Sequence, residues 1–514
     1  MPVQSTPSSP GFLTGGQLWL TALVLAVANF IAILDLTIAN VSVSSIAGAL
    51  GATTSQGTWV ITSYAVAEAI TVPLTGWLAS RFGPVRLFVS AVALFGILSA
   101  LCGLAGSLGA LVIGRICLGL TGGPMVPLSQ TLLLRIFPKD KANIALGLSA
   151  VTTLVAPVLG PILGGYLCSN FSWPWIFYIN VPYAAICALA AWRLLRSREE
   201  PVTKTPIDRV GLLLLITWVG ALQLLIDKGA DLDWFASSEI VALAIVTIVG
   251  FAAFLIWELH EAHPVVDLRI FRHRGFTIGV LSLSLGIGTL FGANVLTPLW
   301  LQSLMGYTSG RAGEAMAWMG LTAILMTPVA AILSSKIDAR WVSFWGTLWI
   351  GLVGLWRSYA TVDMDYWQIS TPLMLLGLGL PIFFLPLQVL ALSSVEDRET
   401  ASATGLLNFL RTMAGAIATS LVMTAWENKT RINNAELVGI SDRDGHLQAM
   451  LEATGATRDA VLQGMDGLIN AQALMLATNQ VMALLGIAAM FAAFAIWLAP
   501  KPARVIDLAS TAGH

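Results

Sequence analysis

A chain of 514 residues that is 56% hydrophobic and 11% charged, with mean hydropathy +0.80, carries too little charge to cover a water-facing surface of its size; soluble domains hold about 25% charged residues. A net charge of −1 leaves no basic excess to neutralise phosphates and argues against a nucleic-acid partner. The four cysteines, Cys102, Cys117, Cys168 and Cys187, fall in or beside apolar runs and read as small core residues, not as a disulfide framework or a metal cluster.

The first 17 residues are polar, rich in Pro, Ser and Gly, and lack the basic start of a cleavable leader, so the first apolar run reads as a retained span. A bilayer core of ~30 Å needs about 20 apolar residues per helix. Fourteen such runs follow in order: 18–43, 57–79, 86–106, 109–134, 141–168, 174–195, 209–227, 238–259, 276–300, 311–334, 341–359, 369–393, 401–426 and 476–499. An even count puts both termini on one side. Of 27 Lys+Arg, 18 lie in loops after even-numbered spans or in the C-terminal tail, which makes that side cytoplasmic. The resulting order is a tail (1–17), a six-helix bundle (18–200), two inserted helices (201–262), a second six-helix bundle (263–499) and a tail (500–514). Within the second bundle, the polar stretch 427–475 reads as an outer loop whose second half, His446 to Leu474, has helix-like apolar spacing. It is longer than ordinary connections, which leaves a plain connector and a small docking element both open.

The stretch Pro73-Leu-Thr-Gly-Trp-Leu-Ala-Ser80-Arg81-Phe closes the second span, and Pro328-Val-Ala-Ala-Ile-Leu-Ser-Ser335-Lys336-Ile closes the tenth. Spans one to six and nine to fourteen are then equivalent halves related by an axis along the membrane normal, an arrangement suited to alternating access at a midplane site.

Specific motifs sharpen this. Asp35-Leu-Thr-Ile-Ala-Asn40-Val and Ser55-Gln-Gly-Thr-Trp59-Val-Ile-Thr-Ser-Tyr64 resemble the first two spans of the fourteen-span drug/proton antiporters of the major facilitator superfamily. Gly76-Trp-Leu-Ala-Ser80-Arg81-Phe-Gly83 is similar to that superfamily's loop two–three signature, and Ala156-Pro157-Val-Leu-Gly160-Pro161-Ile-Leu-Gly164-Gly165 to its fifth-span antiporter signature. Trp175-Ile-Phe-Tyr-Ile-Asn180-Val-Pro182 and Asp227-Lys-Gly-Ala-Asp-Leu-Asp-Trp234-Phe resemble the EmrB-type branch. The chain departs from the pattern at Ser80, where an acid is usual, and at Leu118, where the fourth-span signature has Gln. The resemblance, over residues 18 to 500, implies a proton-driven exporter of drugs and other amphipathic toxic compounds in a Gram-negative inner membrane. It also implies a periplasmic adaptor and an outer-membrane channel as partners.

An ionisable side chain inside a span costs about 2.5–3.5 kcal/mol on insertion scales, so each needs a reason. Asp35 in span one and Arg115 in span four both fall in the outer half of the first bundle and are placed to pair. Burial and a nearby cation act in opposite senses on a carboxylate's proton affinity, so changing water access gives Asp35 a way to load and unload a proton. A static bridge that only fixes helix packing uses the same two residues. Glu68 in span two is a second candidate acid, a counter-charge for a cationic substrate, or neither. Asn29, Asn40, Gln130, Asn294, Gln388, Asn408 and Arg411 are candidate polar anchors in an apolar substrate cavity, though each also reads as an interhelical tie. Gly76, Arg81 and Gly83 mark a gating turn. Pro157, Gly160, Pro161, Gly164 and Gly165 mark a bent, tightly packed fifth span that limits proton leak, or serves packing alone.

No G-x-x-x-x-G-K-[ST] phosphate loop occurs, and the five histidines (260, 263, 273, 446 and 514) lie in loops or the tail. No metal, cofactor or enzymatic centre is expected. A narrow-substrate exporter of a metabolite or organic acid is the alternative within the same class. A membrane enzyme would need a cluster of His or acids within the spans, and a channel or scaffold has no call for the two-half repeat.

Overall fold

The computed structural model describes residues 15–40, 42–52, 54–138, 141–199, 202, 206–229, 232–396, 399–444 and 458–500. Each of the fourteen apolar runs falls on helix, and the helices are numbered accordingly. The first bundle comprises α1 (Gly15–Asn40), α2 (Trp59–Thr71 continued as Thr75–Phe82), α3 (Pro84–Gly103), α4 (Leu108–Gly122 continued as Met125–Ile136), α5 (Ala142–Asn170) and α6 (Asn180–Leu195). The inserted pair is α7 (Arg209–Lys228) and α8 (Ser238–His260). The second bundle comprises α9 (Arg274–Ser303), α10 (Ser309–Lys336), α11 (Ala339–Arg357), α12 (Tyr366–Leu392), α13 (Thr400–Asp444) and α14 (Arg458–Ala495).

Among the described residues, 11 helices are long and apolar enough to cross a membrane, or 12 when the bent α5 counts as one span. The other two expected spans are α2, interrupted between Thr71 and Thr75, and α11, which carries Arg340 and Arg357 at its ends. Local chemistry sets many of the ends. Asp208 accepts from the amides of Val210 and Gly211 to start α7, and Asp365 forms a capping box with Gln368 to start α12. Pro298, Pro328, Pro372, Pro381 and Pro386 sit inside helices, as neighbouring helices in a membrane bundle permit.

One expectation changes. The stretch 427–475 is not a loop throughout: α13 runs unbroken to Asp444 and α14 begins at Arg458, so both helices project beyond the apolar layer. Asn434 Nδ2 donates to Asn470 Oδ1 at 2.9 Å and Asn433 Nδ2 to the Ala473 carbonyl at 3.4 Å, tying the projections side by side. Hydropathy stops at the bilayer edge, whereas backbone hydrogen bonding continues past it. Residues 446–457, within the second part of that stretch, lie outside the described residues.

The halves meet along α5 with α10 and α12, and along α13 with α2 and α4. The inserted pair packs beside α2 and α13, with Trp218 of α7 against Phe409 of α13 at 5.9 Å. Contacts such as Trp19–Phe137, Arg86–Glu199, Arg272–Glu399 and Arg340–Ala499 gather the basic junctions at one end of the molecule, called here the basic end.

A buried ion pair and a polar seam between the halves

Asp35 and Arg115 are both fully buried, and Arg115 Nη1 meets Asp35 Oδ2 at 2.5 Å. Their placement follows from helix direction: α1 leaves the basic end and α4 returns to it, so a residue late in one lies level with a residue early in the other. Three further groups complete the site. Asn180 Nδ2 donates to Asp35 Oδ1 at 2.8 Å and lies 3.2 Å from Ser99 Oγ, which donates to the Phe177 carbonyl at 2.9 Å. Arg115 Nε donates to the Val60 carbonyl at 2.9 Å, and the guanidinium stacks over the Tyr64 ring at 4.2 Å. A buried charge is tolerated when it is both paired and hydrogen-bonded, and each member here has at least two partners. Arg115 Nη2 and the Tyr64 hydroxyl are left without one.

Close approach of α2 and α4 makes this possible. A side-chain carbon on Gly119 would stand 2.5 Å from the Tyr64 carbonyl, so only a glycine lets the helices close around Arg115.

Glu68 lies one turn beyond Tyr64, 9% exposed, with Oε2 unpartnered. Arg411 of α13, in the other half, is a second buried charge of opposite sign, and the two make no ion pair. Arg411 stacks near Phe384 of α12 at 5.9 Å, and its Nη1 is also unpartnered. Toward the basic end the halves touch directly: Asn408 Nδ2 donates to Gln130 Oε1 at 2.8 Å, and the Thr131 and Thr404 hydroxyls bond at 2.8 Å. Gln388, one turn from Phe384 on α12, is fully buried with neither amide atom bonded. Glu68, Gln130, Gln388, Asn408 and Arg411 thus form a seam of incompletely bonded polar groups between α2, α4, α12 and α13.

The remaining candidates are placed as follows. Asn29 is buried inside the first half, where its amide bonds to Thr152 Oγ1 of α5. Asn294 is half-buried on α9. The side chains of Asn40 and Pro161 lie outside the described residues. Gly76 meets Ser402 so closely that an added carbon would stand 2.8 Å from its Cα, which puts the gating turn at the contact between halves. Arg81 lies 5.7 Å from the Trp77 ring. Gly83 adopts φ +88°, a backbone conformation that favours glycine. α5 bends by 44° between Pro157 and Ile162. Gly160 packs against Thr37 of α1, Gly164 is buried, and Gly165 has open space beside it.

Sequence reasoning passed over Asn180, Ser99 and Tyr64 as site residues. Asn180 and Tyr64 stand inside motifs that carry the family resemblance, and that is the available signal; Ser99 has none. It also passed over Glu199, whose carboxylate accepts from the amides of Val85 and Arg86 at 3.2 and 2.8 Å. The acid missing at Ser80 is therefore not missing from the neighbourhood: Glu199 caps the start of α3 beside the same turn.

A buried acid–base pair in one bundle and a polar seam between two bundles is transporter architecture, and comparison with known proteins agrees. The family model "Major Facilitator Superfamily" matches residues 25–419. This chain belongs to the major facilitator superfamily. It is an integral membrane protein of the EmrB-type branch. It is 45% identical over 426 residues to "Multidrug export protein EmrB" of Haemophilus influenzae, covering 83% of this chain and 84% of that one. Against "Multidrug export protein EmrB" of Escherichia coli K12 the identity is 41% over 474 residues, covering 91% and 93%. Against "Fatty acid resistance protein FarB" of Neisseria gonorrhoeae it is 41% over 494 residues, covering 95% and 97%. Among solved structures, the proton:xylose symporter XylE superposes with TM-score 0.58 at 14% identity, covering 94% of this chain and 96% of that one. The human organic anion transporter MFSD10 superposes with TM-score 0.57 at 13% identity, covering 94% and 100%. At that identity these two speak to the fold alone.

Proposed function

We propose that this protein is a proton-driven exporter of drugs and other amphipathic compounds that works by alternating access, with Asp35 as proton carrier. The observation that carries the reading is the closed Asp35–Arg115 pair with Asn180 on the free carboxylate oxygen. When Asp35 takes a proton, Arg115 loses its counter-charge and must be compensated elsewhere. The Tyr64 face and the acid one turn below it, Glu68, are the nearest groups suited to that. Glu68 in turn answers to Arg411 across the seam, which gives protonation in one bundle a route to the contact between bundles. Gln130, Gln388 and Asn408 supply polar anchors where an amphipathic substrate would lie. The names of the EmrB relatives support drug-like cargo.

Asp35→Asn settles the matter in proteoliposomes with an imposed pH gradient: dye efflux is expected to fall to the protein-free rate while the variant elutes as a folded monodisperse species. Full pH-driven efflux by that variant would remove the reading.

We further propose a Gram-negative inner membrane with the basic end cytoplasmic, in line with the charge asymmetry of the loops. The projecting ends of α13 and α14 then lie in the periplasm, where a membrane-fusion adaptor leading to an outer-membrane channel would dock. Shortening both projections is expected to weaken adaptor co-purification and spare proton coupling; unchanged co-purification counts against it.

A further inference from the structure

The buried polar cluster of the first half has a counterpart in the second, and the two are completed differently. Asp35, Ser99, Arg115 and Asn180 come from α1, α3, α4 and α6. The two-half repeat anchored on Pro73 and Pro328 makes α9, α11, α12 and α14 their equivalents. Those four helices enclose a narrow cavity at the end opposite the basic one. It is lined by Thr297 and Trp300 of α9, Arg357 of α11, Gln368 of α12 and Thr478 of α14.

In the first half the cation is closed by a carboxylate from α1. In the second, Arg357 Nη2 donates to the Thr297 hydroxyl of α9 at 2.5 Å, its one hydrogen bond among the described residues. The cation here stands on α11, the equivalent of α3 and not of α4, and its partner from the first helix of the half is a neutral hydroxyl where α1 offers an acid. Among the described residues no carboxylate lies within ion-pair distance of Arg357. The two acids nearest in sequence, Asp363 and Asp365, are exposed, and Asp365 is used in capping α12. A guanidinium carries five N–H donors in a planar fork suited to carboxylate or phosphate; here one bond is made and the rest of the fork borders the cavity. Beside it, Trp356 is 49% exposed, and Trp341, Trp345, Trp349 and Trp356 share one outward face of α11 at helical spacing.

We propose that this cavity is an anion-headgroup site, in which Arg357 takes the carboxylate or phosphate head of an amphiphile whose apolar tail runs out over Trp356 along the tryptophan face of α11. The missing acid of the second half is then supplied by the ligand. This goes beyond the proton-coupling reading and does not rest on it: the site lies in the other bundle, and Asp35→Asn is expected to leave it intact.

The test is binding of dodecanoate to the full-length protein in neutral phosphatidylcholine nanodiscs, with dodecylammonium as the opposite-charge control. Arg357→Gln is expected to weaken dodecanoate about ten-fold or more and Arg357→Lys to recover part of it, with dodecylammonium unaffected. Thr297→Asp gives Arg357 the partner that α1 gives Arg115. It is expected to abolish dodecanoate binding while holding or raising Tm, which separates a filled site from a lost fold. A second arm replaces the neutral lipid with phosphatidylglycerol. If the natural occupant is a lipid headgroup, phosphatidylglycerol displaces dodecanoate, and native mass spectrometry shows a retained phospholipid in wild type that Thr297→Asp lacks. Either Arg357-dependent result upholds the site and identifies its source. Dodecanoate and phosphatidylglycerol binding that are both unchanged in Arg357→Gln and Thr297→Asp would overturn it.

Discussion

At Arg115 four interactions converge on one side chain: an ion pair with Asp35, a bond to the Val60 carbonyl, and stacking on Tyr64 and Phe177. Breaking a buried pair from one side leaves an uncompensated charge, at a cost of about 3–5 kcal/mol, whereas removing both charges is close to neutral. Arg115→Gln is therefore expected to lower Tm in detergent strongly. The double variant Asp35→Asn/Arg115→Gln should regain most of that loss while remaining inactive in pH-driven efflux. A double variant no more stable than Arg115→Gln would mean that the pair is not what the surrounding bonds are organised around. Asn180 enters the same accounting. Asn180→Leu strips Asp35 Oδ1 and Ser99 Oγ of a donor, and roughly 1–3 kcal/mol of stability is expected to go with it; a thermal melt of the purified protein checks this.

Between the helices, distance is set by small residues. Gly76 stands against Ser402 and Gly405 lies 3.0 Å, measured from an added carbon, from the Val72 carbonyl, so α2 and α13 touch backbone to backbone near the basic end. Gly76→Val is expected to hold these helices apart there and to slow efflux at least several-fold with the fold intact; a rate equal to wild type would show that this contact need not form in the cycle. How much of this was legible beforehand differs by element. Periodic apolar length revealed the fourteen helices, because the bilayer demands that length whatever the tertiary contacts. The opposed directions of α1 and α4 brought Asp35 and Arg115 together on paper for the same reason. Asn180 and Glu199 escaped because their partners lie 145 and 113 or more residues away, and nothing local distinguishes a coordinating Asn from a solvated one. The far end of α13 escaped because polarity marks the membrane edge, not the helix end, whereas the start of α14 falls in a stretch of helix-like spacing.

For the whole molecule, alternating access requires that some contact between the halves be made and broken in each cycle. The polar bonds Gln130–Asn408 and Thr131–Thr404 are candidates, since they join α4 to α13 toward the basic end while the Asp35 site sits toward the opposite one. Hydrogen bonds between neutral groups contribute only about 0.5–1.5 kcal/mol net each, which suits a seam that must open. A covalent bond in the same place would not open. With the native cysteines replaced, Thr131→Cys/Thr404→Cys is expected to form a disulfide under mild oxidation, because the two hydroxyl oxygens already stand 2.8 Å apart. The oxidised protein should lose pH-driven efflux and regain it on reduction, while each single variant transports normally under both conditions. Efflux that persists in fully crosslinked protein would show that the halves need not separate at this seam, and would move the gate to the α5–α10 contact on the other side of the molecule.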